Sequence, residues 1–176
     1  MKKELNRKGF MLTLAVALMS TVAWAQGTKP SPPQTASGKV GAATITINYS
    51  SPSVKGRKIF GGLVPFDKVW RAGANEATIF ETDKPIKVEG KTLAAGKYSL
   101  YATPGEKEWT IIFNSETGQW GIKRSGETSK DPAKDVLSVK VKPAKSASMN
   151  EKLKYEVTSK GFALLWDNTQ VPVAVK

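Results

Sequence analysis

Short segments of alternating apolar and polar residues, separated by turn residues, limit the fold of this chain more than any other feature of its sequence. Ile45, Ile47 and Tyr49 alternate with polar side chains, which is the period of two that is typical of a half-buried β-strand. Comparable segments recur with turn signals about every 8 to 12 residues, and no amphipathic helix of useful length accompanies them. The pattern predicts an all-β domain.

The predicted architecture is a single antiparallel β-sandwich, jelly-roll-like, of about nine or ten strands. A long excursion near the start interrupts the strand pattern, and two sheets accommodate it better than an evenly meandering barrel. We predict a polar connection at residues 145–150 and a turn at Asp167-Asn168. Pro172 cannot donate a ladder hydrogen bond, so the last strand is predicted to lie at an edge. The predicted strands span residues 43–49, 78–82, 85–88, 91–93, 97–103, 109–114, 136–142, 152–158, 162–166 and 171–175.

The first 25 residues have the pattern of a secretory signal peptide. Four basic residues precede an apolar run at positions 10–22, and Ala23-Trp24-Ala25 is a small-residue cleavage site. We therefore predict cleavage before Gln26 and a periplasmic or secreted product; the alternative is an uncleaved membrane anchor. No later stretch approaches the roughly 20 apolar residues that a membrane-spanning helix needs, so we expect no integral membrane segment in the mature chain.

The next segment, residues 26–39, is rich in Pro, Ser, Thr, Gln and Gly. This composition predicts a flexible linker that buries nothing. The folded domain is therefore predicted to span residues 40–176, a size that suits one hydrophobic core.

The chain is strongly basic, with 27 Lys and Arg against 15 Asp and Glu and a formal net charge of +12. Such a charge attracts anionic ligands and surfaces. Most of the basic residues are Lys, however, and they are scattered rather than clustered with aromatic residues, so we expect no nucleic-acid partner. Outward-facing Lys also protects strand edges from aggregation.

The sequence contains neither Cys nor His. It therefore lacks a disulfide framework, a Ser-His or Cys-His nucleophile, and a zinc or haem site of the usual kind. We expect no metal and no cofactor. Catalysis would have to depend on carboxylates, Lys, Arg or Tyr, or on an oxygen-ligated cation.

Residues 49–80 lack a clean period and concentrate Gly, Pro, Arg, Trp, Asn and Glu. Within them residues 65–71 are predicted to form one short helix, with Pro65 in its first turn and Gly73 ending it. The remainder is predicted to be a long ordered loop, because many of its residues are apolar. Long loops inside compact domains are commonly functional.

Two arginines, Arg57 and Arg71, fall in this loop. Arg grips carboxylate or phosphate groups with a planar fork of donors, so we predict a ligand-binding site here. Alternatively, Arg71 pairs with Glu76 or Asp67 and braces the loop, while Trp70 is a core residue. The predicted ligand-binding residues are Arg57, Arg71, Asn75, Glu76, Trp70 and Thr78.

Asp67 and Glu76 also form the best candidate pair for general acid and base catalysis, as in glycoside hydrolysis. Sequence spacing does not fix the distance between them, and a structural ion pair is the alternative. We therefore assign no catalytic residue. Trp109, Trp120 and Tyr101 could stack on sugar rings, or they could be core residues.

The string Val69-Trp70-Arg71-Ala72-Gly73-Ala74-Asn75-Glu76-Ala77-Thr78 resembles the signature of a bacterial exported family known as domain of unknown function 2911. Further matches are Lys55-Gly56-Arg57, Gln119-Trp120-Gly121 and Leu164-x-Trp166, and the resemblance covers residues 40–175 or so. It implies a secreted or periplasmic all-β domain and implies no activity. In this chain Ser51 and Ser138 stand where a basic residue is common in the family, which implies a weaker hold on any anion bound there.

Together these features predict a periplasmic binding or interaction module for a small polar or anionic ligand or a glycan. One alternative is a hydrolase that uses a carboxylate acid–base pair without His or metal. Another is a purely structural domain in which residues 49–80 only fill space. The sequence leaves the oligomeric state open.

Overall fold

The computed structural model describes residues 30–176 and shows an all-β chain, as the alternating segments predict. The predicted signal peptide, residues 1–25, lies outside the described residues. The strands are β1 (Pro33–Val40), β2 (Ala43–Ser50), β3 (Thr78–Thr82), β4 (Ile86–Val88), β5 (Lys91–Leu93), β6 (Gly96–Thr103), β7 (Trp109–Asn114), β8 (Asp135–Val141), β9 (Ala144–Thr158) and β10 (Gly161–Ala174).

Six of the strands form one antiparallel sheet in the order β1-β2-β3-β6-β7-β8. β9 and β10 form a separate long hairpin, and β4 and β5 form a short one. In β2, Ala43, Ile45, Ile47 and Tyr49 are buried, whereas the residues between them are partly or fully exposed. The alternation seen in the sequence thus places these apolar side chains on one face of the sheet.

The six-stranded sheet and the long hairpin share one hydrophobic core. The rings of Phe80 in β3 and Phe162 in β10 have centroids 5.4 Å apart. Tyr49 in β2 meets Tyr155 in β9 edge to face, with centroids 4.9 Å apart. All four side chains belong to one cluster of buried residues. Aromatic pairs contribute about 0.5–1.5 kcal/mol beyond their burial, so these contacts help to hold the hairpin on the sheet.

The predicted flexible linker, residues 26–39, is wrong from Pro33 onward. Pro33–Val40 forms β1, which pairs with the whole of β2. The Pro-rich composition was misleading because β1 is an edge strand and begins at a proline, a position where no ladder donor is needed. The folded domain therefore starts by Pro33 rather than at Val40.

The predicted polar connection at residues 145–150 and the predicted turn at Asp167-Asn168 are also wrong, because these residues lie within β9 and β10. The pairing register shifts on both sides of Asp167, whose φ is +54°. A bulge in a continuous strand accommodates such a residue as well as a turn does. The first half of β9 is mostly exposed, which explains why its sequence lacks a clean alternation.

The short helix predicted at residues 65–71 is absent. Asp67 has a φ of +59°, which an α-helix does not allow, and its N–H donates to the carbonyl oxygen of Pro104 at 2.8 Å. Within residues 30–176 the one helical segment is a 3₁₀ turn at Pro132–Lys134. The same part of the chain contains no helix with the length and apolar character needed to cross a membrane.

Candidate functional site

An extended stretch around Trp70 joins the long loop to the end of β6. Trp70 exchanges two backbone hydrogen bonds with Ala102, at 2.7 and 2.9 Å. Its ring stacks on Trp166 of β10, with centroids 5.9 Å apart and an interplanar angle of 19°. Its indole Nε1–H donates to the carbonyl oxygen of Gly73 at 3.0 Å. Both the backbone and the side chain of Trp70 are therefore fixed.

Arg71 lies beside the loop that carries Trp120 and Gly121. Its guanidinium carbon is 5.8 Å from the centroid of the Trp120 ring. The Nε and Nη1 atoms of Arg71 are buried and have no hydrogen-bond partner within residues 30–176. A buried donor left without a partner costs about 1–3 kcal/mol, and more when it is charged. Arg71 thus keeps two N–H donors that the described residues do not use.

The positive charge of Arg71 is also only partly compensated by its surroundings. Burial lowers the pKa of Arg71, and the negative charge of Glu76 opposes that shift without cancelling it. Because arginine stays protonated in proteins, a positive charge persists here in a partly dehydrated environment. A nearby anion would stabilise that charge.

Gln119 fixes the loop that lies over Arg71. Its side-chain Nε2–H donates to the hydroxyl of Tyr101 at 2.9 Å. Its backbone carbonyl oxygen accepts from the backbone N–H of Ala77 at 3.1 Å. Gly121 packs so closely that a Cβ there would lie 2.9 Å from the Cβ of Arg71. Burial raises the pKa of Tyr101, and the hydrogen bond from Gln119 opposes that shift without cancelling it.

Two cavities adjoin at Trp70 and Arg71, which line both. The smaller has a volume of about 380 Å³ and is also lined by Lys55 and Arg57, with no acidic residue among its lining residues. Trp166 borders it too, and the buried indole Nε1–H of Trp166 has no partner in the described part of the chain. The smaller cavity is therefore electropositive and rich in hydrogen-bond donors.

The larger cavity has a volume of about 680 Å³. Its charged lining residues besides Arg71 are Asp67, Lys68 and Glu127, so acidic and basic side chains balance there. Much of the remaining lining is apolar, contributed by Leu63, Val64, Pro65, Val69, Trp70 and Ile122.

Arg57 lines the smaller cavity, but two of its guanidinium nitrogens donate hydrogen bonds within the local turn. Its Nε–H donates to the carbonyl oxygen of Val54 at 3.0 Å, and its Nη2 donates to that of Ser53 at 2.6 Å. The side chain is otherwise exposed. The structure therefore brings Arg57, Trp70 and Arg71 together at one cavity, with Arg57 at its rim.

Asn75 and Thr78 serve the fold directly. Asn75 has a φ of +57°, and its side-chain amide donates to the carbonyl oxygen of Ser31 at 3.0 Å. Thr78 is buried, and its hydroxyl donates to the carbonyl oxygen of Ala72 at 3.0 Å. Neither residue lines the two cavities.

The candidate acid–base pair is not gathered in one cavity. Asp67 borders the larger cavity, whereas Glu76 is exposed and borders neither. Glu76 acts on Arg71 through its charge. Across residues 30–176, no three His, Cys, Asp or Glu side chains come together in a way that could hold a metal ion.

Sequence reasoning missed several neighbours of Arg71. Trp120 and Gly121 contact it from a distant loop, and Trp166 lines the smaller cavity. All three belong to the motifs that carry the family resemblance, and that was the available signal. Lys55 likewise belongs to a matching motif, Lys55-Gly56-Arg57, but nothing in that motif separates it from the many other Lys residues of the chain.

Comparison with known proteins gives the family of the chain. The sequence model of a family described as "Protein of unknown function (DUF2911)" matches residues 31–175. The match spans every strand of the structure, and it confirms the resemblance drawn from the sequence. Neither the curated proteins nor the solved structures include a significant match to the chain. This chain belongs to the DUF2911 family.

Proposed function

We propose that this protein is an exported binding module, periplasmic or secreted, that holds a small anionic ligand at Arg71. The observation that carries the proposal is the pair of buried Arg71 donors without hydrogen-bond partners. They lie beside a cavity lined by Lys55, Arg57 and Arg71 and by no acidic residue. Carboxylate and phosphate groups are the natural partners of such an arginine.

An anion suits this cavity better than a neutral glycan. Sugar hydroxyls donate as well as accept hydrogen bonds, whereas the charged side chains around the smaller cavity are all donors. The unpartnered Nε1–H of Trp166 adds a further donor. We also interpret the six-stranded sheet and the β9–β10 hairpin as the two layers of a sandwich, an interpretation supported by their shared core.

A purely structural role would require the polar side chains of the loop to form their hydrogen bonds within the fold. Asn75 and Thr78 fit that description, because each bonds a backbone carbonyl. Arg71 does not fit it, because none of the described residues accepts a hydrogen bond from two of its donors. Arg71 is therefore the residue that distinguishes a loop that only stabilises the fold from one that binds a ligand.

Thermal unfolding in the presence of small anions tests the proposal. The purified protein is heated with phosphate, propionate, succinate or benzoate, each matched in ionic strength with KCl. A ligand at 100 times its Kd stabilises a fold by about 2.7 kcal/mol, which corresponds to roughly 5–10 °C in Tm for a domain of this size. We expect at least one anion to raise the Tm well above the KCl control.

The matched variants are Arg71→Gln and Arg124→Gln. Both remove one positive charge, but Arg124 is exposed and lines neither cavity. The proposal predicts that Arg71→Gln abolishes the anion-dependent rise in Tm and that Arg124→Gln keeps it. If no anion stabilises the protein, or if both variants lose the effect equally, binding at Arg71 is wrong and the purely structural interpretation is favoured.

A further inference from the structure

We infer that the ligand is an amphiphilic organic anion, a carboxylate with an unbranched alkyl chain of medium length. Its carboxylate lies against Arg71 at the smaller cavity, and its chain lies in the larger one. This inference rests on the proposed binding of an anion at Arg71. It adds the chemical class of the ligand and its direction in the site.

The two cavities share one wall. Leu63, Val64 and Ile122 line both, together with Trp70 and Arg71. The inferred ligand lies along this shared wall, with Arg71 near its head and Leu63 and Ile122 along its chain.

The charges of the two cavities set the direction of the ligand. The smaller cavity combines Lys55, Arg57 and Arg71 without an acidic residue. In the larger one Asp67 and Glu127 balance Lys68 and Arg71, so it attracts a carboxylate less than the smaller cavity does. The anionic head therefore belongs at the smaller cavity, and the uncharged part of the ligand belongs in the larger.

The larger cavity also has the lining and the size that an alkyl chain requires. Leu63 is 49 % exposed although it is a large apolar side chain, and Val69 and Ile122 lie on the same lining. A volume of about 680 Å³ falls in the range of organic-ligand sites, roughly 300–1,000 Å³. An inorganic anion would leave nearly all of it to water.

Calorimetric titration with a series of linear carboxylates tests the inference. Acetate, butyrate, hexanoate, octanoate and decanoate are titrated below their micelle-forming concentrations, and 1-octanol serves as the uncharged comparison. Each buried methylene strengthens binding about fourfold, so we expect affinity to rise steadily along the series. 1-Octanol is expected to bind at least tenfold more weakly than octanoate.

Leu63→Ser is the informative variant, and Met149→Ser is its matched control. Met149 is 52 % exposed, like Leu63, but lines neither cavity. We expect Leu63→Ser to weaken octanoate binding about tenfold and acetate binding much less, because acetate has no alkyl chain to lie against Leu63, and we expect Met149→Ser to change neither.

The outcomes separate this inference from the function on which it rests. If short carboxylates or phosphate bind in an Arg71-dependent way but affinity is flat along the series, the alkyl-chain inference is wrong and anion binding stands. If affinity rises with chain length but Arg71→Gln and Leu63→Ser have no effect, the chains bind elsewhere and the inference is also wrong. If nothing binds, both proposals fail.

Discussion

The guanidinium carbon of Arg71 lies 5.8 Å from the centroid of the Trp120 ring. A contact of this kind contributes about 0.5–2 kcal/mol, depending on how far the charge is desolvated. Trp120 is itself 51 % exposed, so its indole lies between the Arg71 guanidinium and solvent. The buried Nε–H and Nη1–H groups of Arg71 have no partner among the described residues. The contact places the Arg71 charge near an aromatic ring but provides no hydrogen-bond acceptor for its N–H groups.

Replacing Gly121 by Ala tests how tightly this arrangement is packed. An added Cβ would lie 2.9 Å from the Cβ of Arg71 and 3.1 Å from that of Ala77, and such overpacking costs about 1–3 kcal/mol. The φ of +83° adds the usual penalty of about 1–2 kcal/mol for a side chain in the left-handed region. Urea unfolding measures the sum.

Gly118→Ala is the control for that substitution. Gly118 has a φ of +88°, but a Cβ there would meet nothing within 4 Å. It should therefore show the backbone penalty alone. Equal losses in the two variants would mean that Gly121 does not pack against Arg71 as described.

The unsatisfied donors of Arg71 lead to a prediction about stability. Arg71→Met removes a partly buried charge and keeps an unbranched side chain, so we expect it to leave the free energy of unfolding unchanged or to raise it by about 1 kcal/mol. Denaturant unfolding of Arg71→Met beside Arg124→Met measures the difference. A loss of about 3–5 kcal/mol, the usual result of breaking a buried ion pair, would show that Arg71 braces the fold.

A buried ion pair at the start of β8, between Lys130 and Asp135, provides a comparison. The Nζ of Lys130 is 2.5 Å from the Oδ2 of Asp135, and the Lys130 side chain is 5 % exposed. Asn114 donates to the other carboxylate oxygen at 2.7 Å. Because Asp135→Asn would leave a buried charge unpaired, we expect it to cost about 3–5 kcal/mol.

The surface pair of Lys154 and Glu156 is the control for Asp135→Asn. Its side chains are 45 % and 49 % exposed, so Glu156→Gln should cost less than about 1 kcal/mol. Both variants are measured by denaturant unfolding at pH 7. A small effect of Asp135→Asn would contradict the assigned structural role.

The buried hydroxyl of Tyr155 predicts a loss of stability in alkaline solution. Burial raises the pKa of Tyr155 well above its ordinary value, and the hydroxyl donates to the carbonyl oxygen of Ala72 at 2.8 Å. Above about pH 10 the unfolded chain loses this proton while the folded chain keeps it. The free energy of unfolding should therefore fall by about 1.4 kcal/mol per pH unit from this group.

Tyr155→Phe isolates that contribution. The variant should be less stable at pH 8, because it loses a hydrogen bond, and its stability should fall less steeply between pH 10 and pH 11.5. Urea unfolding across this range gives both slopes. Parallel slopes for the two proteins would contradict the assignment to Tyr155.

Most of the strands could be predicted from the sequence because their pattern is local. Ile45 and Ile47 are fully buried on the face that the alternation predicts. The failures have long-range causes. Trp70 is extended because it pairs with Ala102, and Asp67 turns because it bonds Pro104. Neither partner is evident from Pro65 and Gly73, the local signals that suggested a helix.

The candidate site could be predicted only in outline. Arg71 stood out because Arg is scarce where Lys is plentiful, and the structure places it at two cavities. The proximity of Trp120 was not predictable, because folding brings it to Arg71 from a separate loop. That of Leu63 was not predictable because the path of the long loop depends on its contacts with β6 and β10. The sequence also could not separate Asn75, which bonds the backbone, from Arg71, whose donors remain open.

The most direct test of the central claim follows the Nε–H of Arg71 by NMR during titration with octanoate. The chain has four arginines, Arg7, Arg57, Arg71 and Arg124, so the Nε–H region is sparse, and the Arg71 signal is identified by its loss in Arg71→Met. If Arg71 binds the carboxylate, its Nε–H signal moves downfield and saturates, while that of Arg124 stays in place. If the Arg71 signal does not move while octanoate shifts other signals, the ligand binds elsewhere and the account is contradicted.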